Sequence, residues 1–365
     1  MGNITQQRNL SDNERTETYE YDLANQLTSF LRGSKVSKGY EFDKVGNRIK
    51  TLENGIATRY TANNVNALTA VSGGQNIAPK YDDNGNLVSD GQHTYSYDLG
   101  NREVGVDGQT TSVYDALGRR IIKGSCYCYY MGDVIVEEVE GGEVTAFIYG
   151  NAVDELLKTV KGSEEYYFHT NHLNSVMCLT DEQGEVVEYM DYDVYGTPTF
   201  YDAQGQPMER SSVGNDRLFC GREYNYATGM YYYRARTMNP ALGRFMQKDP
   251  LMYINGMNDY AYTMNNPVVF ADPNGTEVIT ATLVLATLVM ANVSAWSAYY
   301  KNGTFSPANV VGHRGRHVWD TFKNGVITFT TGVNPWLGGG VATGFGAIES
   351  WWSIDCWKWS VKNNR

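Results

Sequence analysis

Short runs of alternating apolar and polar residues fill the first three quarters of the chain. Residues 134–136 and 144–148, for example, are apolar-rich segments on either side of a Gly141-Gly142 turn. Alternation with a period of two is typical of β-strands that bury one face, and a Gly pair between two such runs is typical of a hairpin. The pattern therefore predicts successive β-hairpins up to about Thr276.

The pattern changes after Thr276. Residues 278–300 form a run of 23 residues without a charge, and a second uncharged run covers residues 325–348. The first run is long enough for a membrane-spanning helix, but it also fits the core helix of a small domain, which is apolar on every side. We expect a small, mostly α-helical tail over residues 277–365, with residues 278–300 either contacting a membrane or buried.

A sequence repeat dominates the first 125 residues. Its unit is an aromatic residue, Asp, two or three further residues, Gly-Asn or Asn, and then Arg or Leu. The Asp side chain is suited to accept backbone N–H groups within the turn, and Gly or Asn takes the left-handed position. Each copy predicts one hairpin that cannot bury its own face alone. Clean copies begin at Tyr21, Phe42, Tyr81, Tyr97 and Tyr114, and a degenerate copy begins at Tyr60.

Composition divides the chain at the same boundary. All seven Trp lie after residue 290, and residues 277–365 carry a net charge of +3, whereas the remainder carries −14. The acidic body argues against nucleic acid as its partner. The polar segment from Met1 to Asn13 has no apolar run of the kind found in signal peptides, and five cysteines imply no disulfide framework.

The repeats resemble the YD repeats of the bacterial RHS (rearrangement hotspot) proteins and of the related toxin-complex C components and teneurins. The resemblance extends into the RHS repeat-associated core and covers roughly residues 19–276. It implies a mainly β fold, in which a strip of hairpins spirals into a hollow shell and the core forms a plug at one end. The core landmarks, in family order, are residues 167–176, 192–196, 221–224, 228–236, 242–245, 258–262, 265–267 and 272–275.

From this resemblance we expect three parts. Residues 1–160 would be YD repeats and following β-hairpins, residues 161–276 the core, and residues 277–365 a variable C-terminal tail. In the family, the segment beyond the core is often toxic and is held inside the shell. Because about six repeats are too few for a closed cavity, we expect a piece of a longer protein, whose partner is the rest of the shell or its own tail.

The resemblance also implies a self-cleaving site. Asp249 and Asp272, each followed by Pro, and the upstream Arg236 occupy the matching positions, and the bond expected to break is Thr276–Glu277. Two close carboxyl groups share a proton, so one can activate water while the other donates to the scissile carbonyl. Arg236 would hold one carboxylate ionised. The alternative is that both Asp-Pro steps only stabilise turns.

Two positions depart from the family pattern. Met252 stands at an offset where the family has Gly, and Thr276 stands where Leu is usual. A Thr in a pocket shaped for Leu loses about 1–3 kcal/mol of burial. Self-cleavage therefore depends on how this chain positions the bond without that Leu.

From the remaining polar groups in the body we expect no metal site and no cofactor. His169 and His172 lack a neighbouring Cys or carboxylate cluster, and Cys126 and Cys128 lack a second Cys pair. In the tail, one polar cluster fits a nuclease, a phosphate site or an ordinary basic loop. It consists of His313, His317 and Asp320.

The sequence thus predicts the C-terminal part of an RHS-type polymorphic toxin, exported or delivered to its target, with a cognate immunity protein as a partner. Two rival functions remain open. One is a cell-surface adhesive protein whose YD repeats bind glycan and whose tail associates with a membrane. The other is an inactive, truncated RHS remnant.

Overall fold

The computed structural model describes residues 2–9, 16–34, 36–74, 76–150, 153–276, 278–280 and 359–363. Within these ranges the chain forms strands, turns and short 3₁₀ helices at Phe219–Gly221, Tyr253–Asn255 and Thr263–Asn265, and it contains no α-helix. The prediction of a mainly β body is confirmed. The predicted helical tail, the polar cluster of His313, His317 and Asp320, and most of residues 278–300 lie outside the described residues. Among the described residues, no helix has the length and apolar character to cross a membrane.

The first repeats build an eight-stranded antiparallel sheet. Each strand pairs with the next one along the chain, and residues 359–363 add a last strand beside the first. The strands are β1 (Ile4–Asn9), β2 (Glu17–Tyr21), β3 (Leu27–Arg32), β4 (Val36–Phe42), β5 (Arg48–Glu53), β6 (Ile56–Ala62), β7 (Leu68–Gly73) and, at the edge, β30 (Trp359–Asn363).

Along the chain, two small sheets lie between the first large sheet and the second. They contain β8 (Lys80–Tyr81) and β9 (Leu87–Ser89), and then β10 (Tyr95–Tyr97), β11 (Glu103–Val106) and β12 (Gln109–Thr110). These five strands are formed by the repeats that begin at Tyr81 and Tyr97.

The second large sheet is an eleven-stranded antiparallel meander. It continues without interruption through residue 160, where the strand Leu156–Lys161 pairs with the strand Glu164–Thr170. The predicted division between residues 1–160 and 161–276 therefore stays a prediction. Its strands are β13 (Ser112–Tyr114), β14 (Arg120–Lys123), β15 (Cys126–Met131), β16 (Val134–Glu140), β17 (Glu143–Tyr149), β18 (Leu156–Lys161), β19 (Glu164–Thr170), β20 (Val176–Thr180), β21 (Val186–Tyr192), β22 (Pro198–Asp202) and β23 (Pro207–Met208).

A four-stranded sheet, here called the core sheet, is formed by residues 223–245 and packs against both large sheets. One apolar cluster joins Phe30 of the first sheet, Phe147 of the second and Tyr231 of the core sheet. Tyr231 and Phe245 have no exposed surface. The strands of this segment are β24 (Glu223–Asn225), β25 (Met230–Tyr233), β26 (Arg236–Asn239) and β27 (Arg244–Phe245), followed by the pair β28 (Phe270–Ala271) and β29 (Ile279–Thr280).

The repeat turns are closed by their Asp side chains, as the repeat predicts. Asp98 Oδ1, for example, accepts the backbone N–H of Gly100 at 2.8 Å and that of Arg102 at 3.0 Å. Asn101, between them, has a left-handed φ of 59°. Because these bonds join residues only two and four positions apart, each repeat can fix its own hairpin before any long-range contact forms.

Candidate active site

The two aspartates and the arginine that the family resemblance indicated lie at the ends of three core strands. Arg236 opens β26, Asp249 follows β27 by four residues, and Asp272 directly follows β28. The side chains are almost fully buried, with residue exposures of 3%, 4% and 0%. Thr276 lies in the loop that joins β28 to β29.

A single nitrogen of Arg236 links the two carboxylates. Its Nη2 lies 3.0 Å from Asp249 Oδ2 and 3.0 Å from Asp272 Oδ2. The other guanidinium nitrogens donate to the carbonyls of Gly275 (2.5 Å) and Asp259 (3.0 Å). Burial lowers the pKa of Arg236, and the charges of Asp272 and Asp249 act in the opposite direction. The structure brings the three side chains together, and their catalytic role stays a prediction.

Each aspartate also stabilises a turn, using its second carboxylate oxygen. Asp249 Oδ1 accepts the N–H of Leu251 at 2.9 Å, and Asp272 Oδ1 accepts the N–H of Thr276 at 2.9 Å. These bonds repeat the chemistry of the YD turns, in which Asp bonds the N–H groups two and four residues later. The turn function and the contact with Arg236 therefore coexist in the same side chains.

The peptide groups on both sides of the Thr276 Cα are fixed in place. The N–H of Thr276 donates to Asp272, and its carbonyl oxygen accepts the side-chain amide of Asn255 at 2.8 Å. The same Asn255 nitrogen lies 3.0 Å from Asp249 Oδ2, and the preceding carbonyl, of Gly275, is bonded to Arg236. The contacts to residues 275 and 276 all use backbone atoms of those residues, so Thr in place of Leu loses none of them.

Two backbone conformations in the site favour glycine. Gly275 has a φ of 69°, and a Cβ there would lie 2.4 Å from the carbonyl oxygen of Tyr233. Met252 has a φ of 53° and a ψ of −142°, a region that only glycine adopts without strain. A Gly at position 252, as in the family pattern, would adopt this conformation without strain, whereas Met252 is strained there.

A largely buried ion cluster, here called the Asp154 clamp, holds the chain just before Gly275. It consists of Asp154, Arg222 and Arg234, with Asp154 contacting Arg222 at 2.5 Å and Arg234 at 2.6 Å. Both arginines donate to the carbonyl oxygen of Pro273, at 3.0 and 2.8 Å. The two cations lower the pKa of Asp154 to about 2, against the opposing effect of burial.

Sequence reasoning missed two polar residues of the site. Asn255 contacts both Asp249 and Thr276, although its only sequence signal is its place in the loop after the first Asp-Pro step. Asp259 lies beside Asp249, and burial and the Asp249 charge raise the pKa of its carboxyl. The sequence left open which aspartate would donate to the scissile carbonyl. In the structure, Asp272 Oδ1 accepts the N–H of Thr276.

The other candidates have different surroundings. His169 lies 3.0 Å from Thr180 Oγ1, and His172 lies 3.0 Å from the carbonyl of Val268. Burial lowers the pKa of both histidines, which favours neutral, structural rings.

Cys126 and Cys128 come together with Glu138, their potential ligand atoms lying within 4.8 Å of one another. However, Glu138 is already paired with Lys123 at 3.1 Å and Arg217 at 2.7 Å. Burial raises the pKa of both thiols, that of Cys128 to about 12. Protonated thiols beside two cations fit a metal poorly, because the metal-binding form of cysteine is the thiolate.

The Asp-closed turns, the chain of hairpins and the buried core define a YD-repeat protein of the RHS type. The teneurin YD-shell family matches residues 1–270, and the chain belongs to this family.

Relatives match mainly the body of the chain. The tRNA3(Ser)-specific nuclease WapA of Bacillus spizizenii is 31% identical over 277 residues, which is 70% of this chain and 12% of that protein. Double-stranded DNA deaminase toxin A of Burkholderia cenocepacia is 26% identical over 245 residues, 55% of this chain and 17% of that protein. The chain thus spans a small part of these relatives. The crystal structure of TcdB2-TccC3 without its hypervariable C-terminal region is 16% identical, with a TM-score of 0.47, and covers 74% of this chain and 17% of that one.

Proposed function

We propose that this chain is the C-terminal part of an RHS-type polymorphic toxin, in which shell and core plug enclose a C-terminal effector and release it by self-cleavage. The observation that carries the proposal is the way Thr276 is held on both sides of its Cα. Its N–H, in the peptide group before it, is bonded to Asp272, and its carbonyl, in the peptide group expected to break, is bonded to an amide that also contacts Asp249. Holding the residue before the expected cleavage point between two buried carboxylates suits hydrolysis better than a purely structural role.

In the reaction we propose, Asp249 acts as the general base. It removes a proton from a water molecule, and the water oxygen bonds to the carbonyl carbon of Thr276. When the C–N bond to Glu277 breaks, the proton passes from Asp249 to the departing nitrogen, which leaves a carboxyl group on Thr276 and a free amine on Glu277. Asp272 and Arg236 hold the bond in place, and this positioning lowers the barrier because the reacting groups are already oriented.

The relatives support assigning the effector to residues 277–365. Two relatives that share the body carry different activities in their names, a tRNA nuclease and a double-stranded DNA deaminase. A segment common to proteins of different activity does not determine which activity each has, and it suits a common housing. We therefore propose that the tail is the effector and that its chemistry differs from one family member to another.

The test is the mass of the purified full chain. Wild type should yield two fragments, residues 1–276 and 277–365, whose masses sum to the intact mass plus one water. Asp272→Asn should stay intact, because the amide cannot keep the ionised contact with Arg236. Asp181→Asn is the matched control, since Asp181 also closes a turn by accepting the N–H four residues later, but in an exposed hairpin far along the chain from Thr276. An intact wild-type chain, or a cleaved Asp272→Asn chain, would contradict the proposal.

Delivery and immunity belong to the same proposal and have a separate test. Expression of the wild-type chain should slow bacterial growth, and co-expression of the protein encoded directly downstream should restore it. Growth that is unaffected by the wild-type chain would favour an inactive remnant.

A further inference from the structure

We propose that Asn255 is a catalytic residue of the self-cleavage reaction, where its side-chain amide binds the carbonyl oxygen of Thr276 and stabilises the oxyanion formed there. The inference rests on the proposed self-cleavage. It assigns a role to a residue that neither the repeats nor the Asp-Pro steps indicate.

The amide of Asn255 is held in a donor orientation. A carboxamide has two N–H hydrogens on one side and an acceptor oxygen on the other. Because Nδ2 lies 3.0 Å from Asp249 Oδ2, the nitrogen faces that carboxylate, and its second hydrogen is available to the Thr276 carbonyl at 2.8 Å. Asp249 is itself fixed by the N–H of Leu251 and by Arg236. The donor is therefore in place before the reaction begins.

A neutral donor suits the charges of this site. When water adds to the Thr276 carbonyl carbon, the carbonyl π electrons move to the oxygen, which becomes an anion close to two carboxylates. The guanidinium of Arg236 is already shared among Asp249, Asp272 and two backbone carbonyls. An amide can stabilise the new anion without giving up a proton, so Asp249 remains free to act as the base. A preoriented donor of this kind is the usual device of an oxyanion hole.

The experiment measures cleavage rate rather than end point. Full-length chains are made by pulse-labelled cell-free translation, and the cleaved fraction is followed with time for wild type, Asn255→Ala, Asn255→Asp and Asp272→Asn. We expect Asn255→Ala to cleave about 100- to 1000-fold more slowly, the loss typical of removing one oxyanion donor. Tyr253→Phe is the matched control, because Tyr253 lies in the same 3₁₀ turn and is 69% exposed. It should cleave at the wild-type rate.

The pH dependence separates catalysis from a structural role. An Asp at position 255 has a donor only when protonated, so the rate of Asn255→Asp relative to Asn255→Ala should rise as the pH falls toward the carboxyl range, about pH 4. A residue that only supported the turn would give a constant ratio.

The failures are distinguishable. If wild type cleaves, Asp272→Asn does not, and Asn255→Ala keeps the wild-type rate, the role of Asn255 is refuted and self-cleavage stands. A constant ratio between the two Asn255 variants likewise refutes the donor role alone. Wild-type chains that stay intact overturn both proposals.

Discussion

Met252 offers a quantitative test of how well the backbone of the site is understood. Its φ of 53° and ψ of −142° lie in a region where a side chain costs about 1–3 kcal/mol. Met252→Gly removes this strain, but it also loses some side-chain burial and gives the unfolded chain about 0.4–1 kcal/mol more conformational freedom. The net effect of the single variant is therefore small and hard to interpret alone.

A matched variant cancels the unwanted contributions. Met257 is 68% exposed, close to the 63% of Met252, and it is absent from the residues with positive φ. Met257→Gly loses a similar amount of burial and the same unfolded-state entropy, without relieving strain. The difference between the two variants should therefore isolate the strain, and we expect Met252→Gly to be the more stable by about 1–3 kcal/mol.

The assay is thermal and urea unfolding of both variants beside wild type, each carrying Asp272→Asn so that all chains stay intact. At roughly 2 °C per kcal/mol, the lower end of the range because the chain is large, the midpoints should differ by about 2–6 °C. Equal midpoints, or a less stable Met252→Gly, would refute the assignment of strain to Met252. The match between the family's Gly and the backbone at this offset would then have no physical basis.

Three further predictions concern the contacts around the site and the repeats. Asp154→Asn should cost about 3–5 kcal/mol in urea unfolding, because the guanidinium groups of Arg222 and Arg234 lose the carboxylate that they share. Because the pKa of Asp154 is lower in the folded protein than in the unfolded chain, its carboxylate stabilises the folded state above about pH 4. This contribution, about 2 kcal/mol, should be lost as the pH falls toward 2. Asp43→Ala should cost about 0.5–2 kcal/mol, as capping side chains do, whereas Asp43→Asn should cost less, since an amide oxygen can still accept the N–H groups of Val45 and Asn47. Gly275→Ala should reduce the cleaved fraction seen by mass, because its Cβ would displace the loop that carries Thr276.

The parts of this molecule that sequence predicts well are those set by local hydrogen bonds. Asp98 selects its turn by bonding Gly100 and Arg102, so the hairpin can be inferred from five consecutive residues. The meeting of Arg236 with Asp272 is different, since 36 residues separate them. No spacing rule predicts that contact, and only the family resemblance indicated it before the structure placed Arg236 at the start of β26 and Asp272 just after β28, in two different sheets.

Asn255 shows why the rest of the site could not be predicted. An Asn in a loop is ordinary turn chemistry, and nothing near residue 255 distinguishes a solvent-facing amide from one aimed at a peptide bond. Its direction is set by the 3₁₀ helix Tyr253–Asn255, and its target, the Thr276 carbonyl, is 21 residues away. The target in turn is placed by Asp272, by Arg236 and by the left-handed Gly275. A reactive group defined by three separate segments exists only in the folded core, so its identification requires the positions of all three.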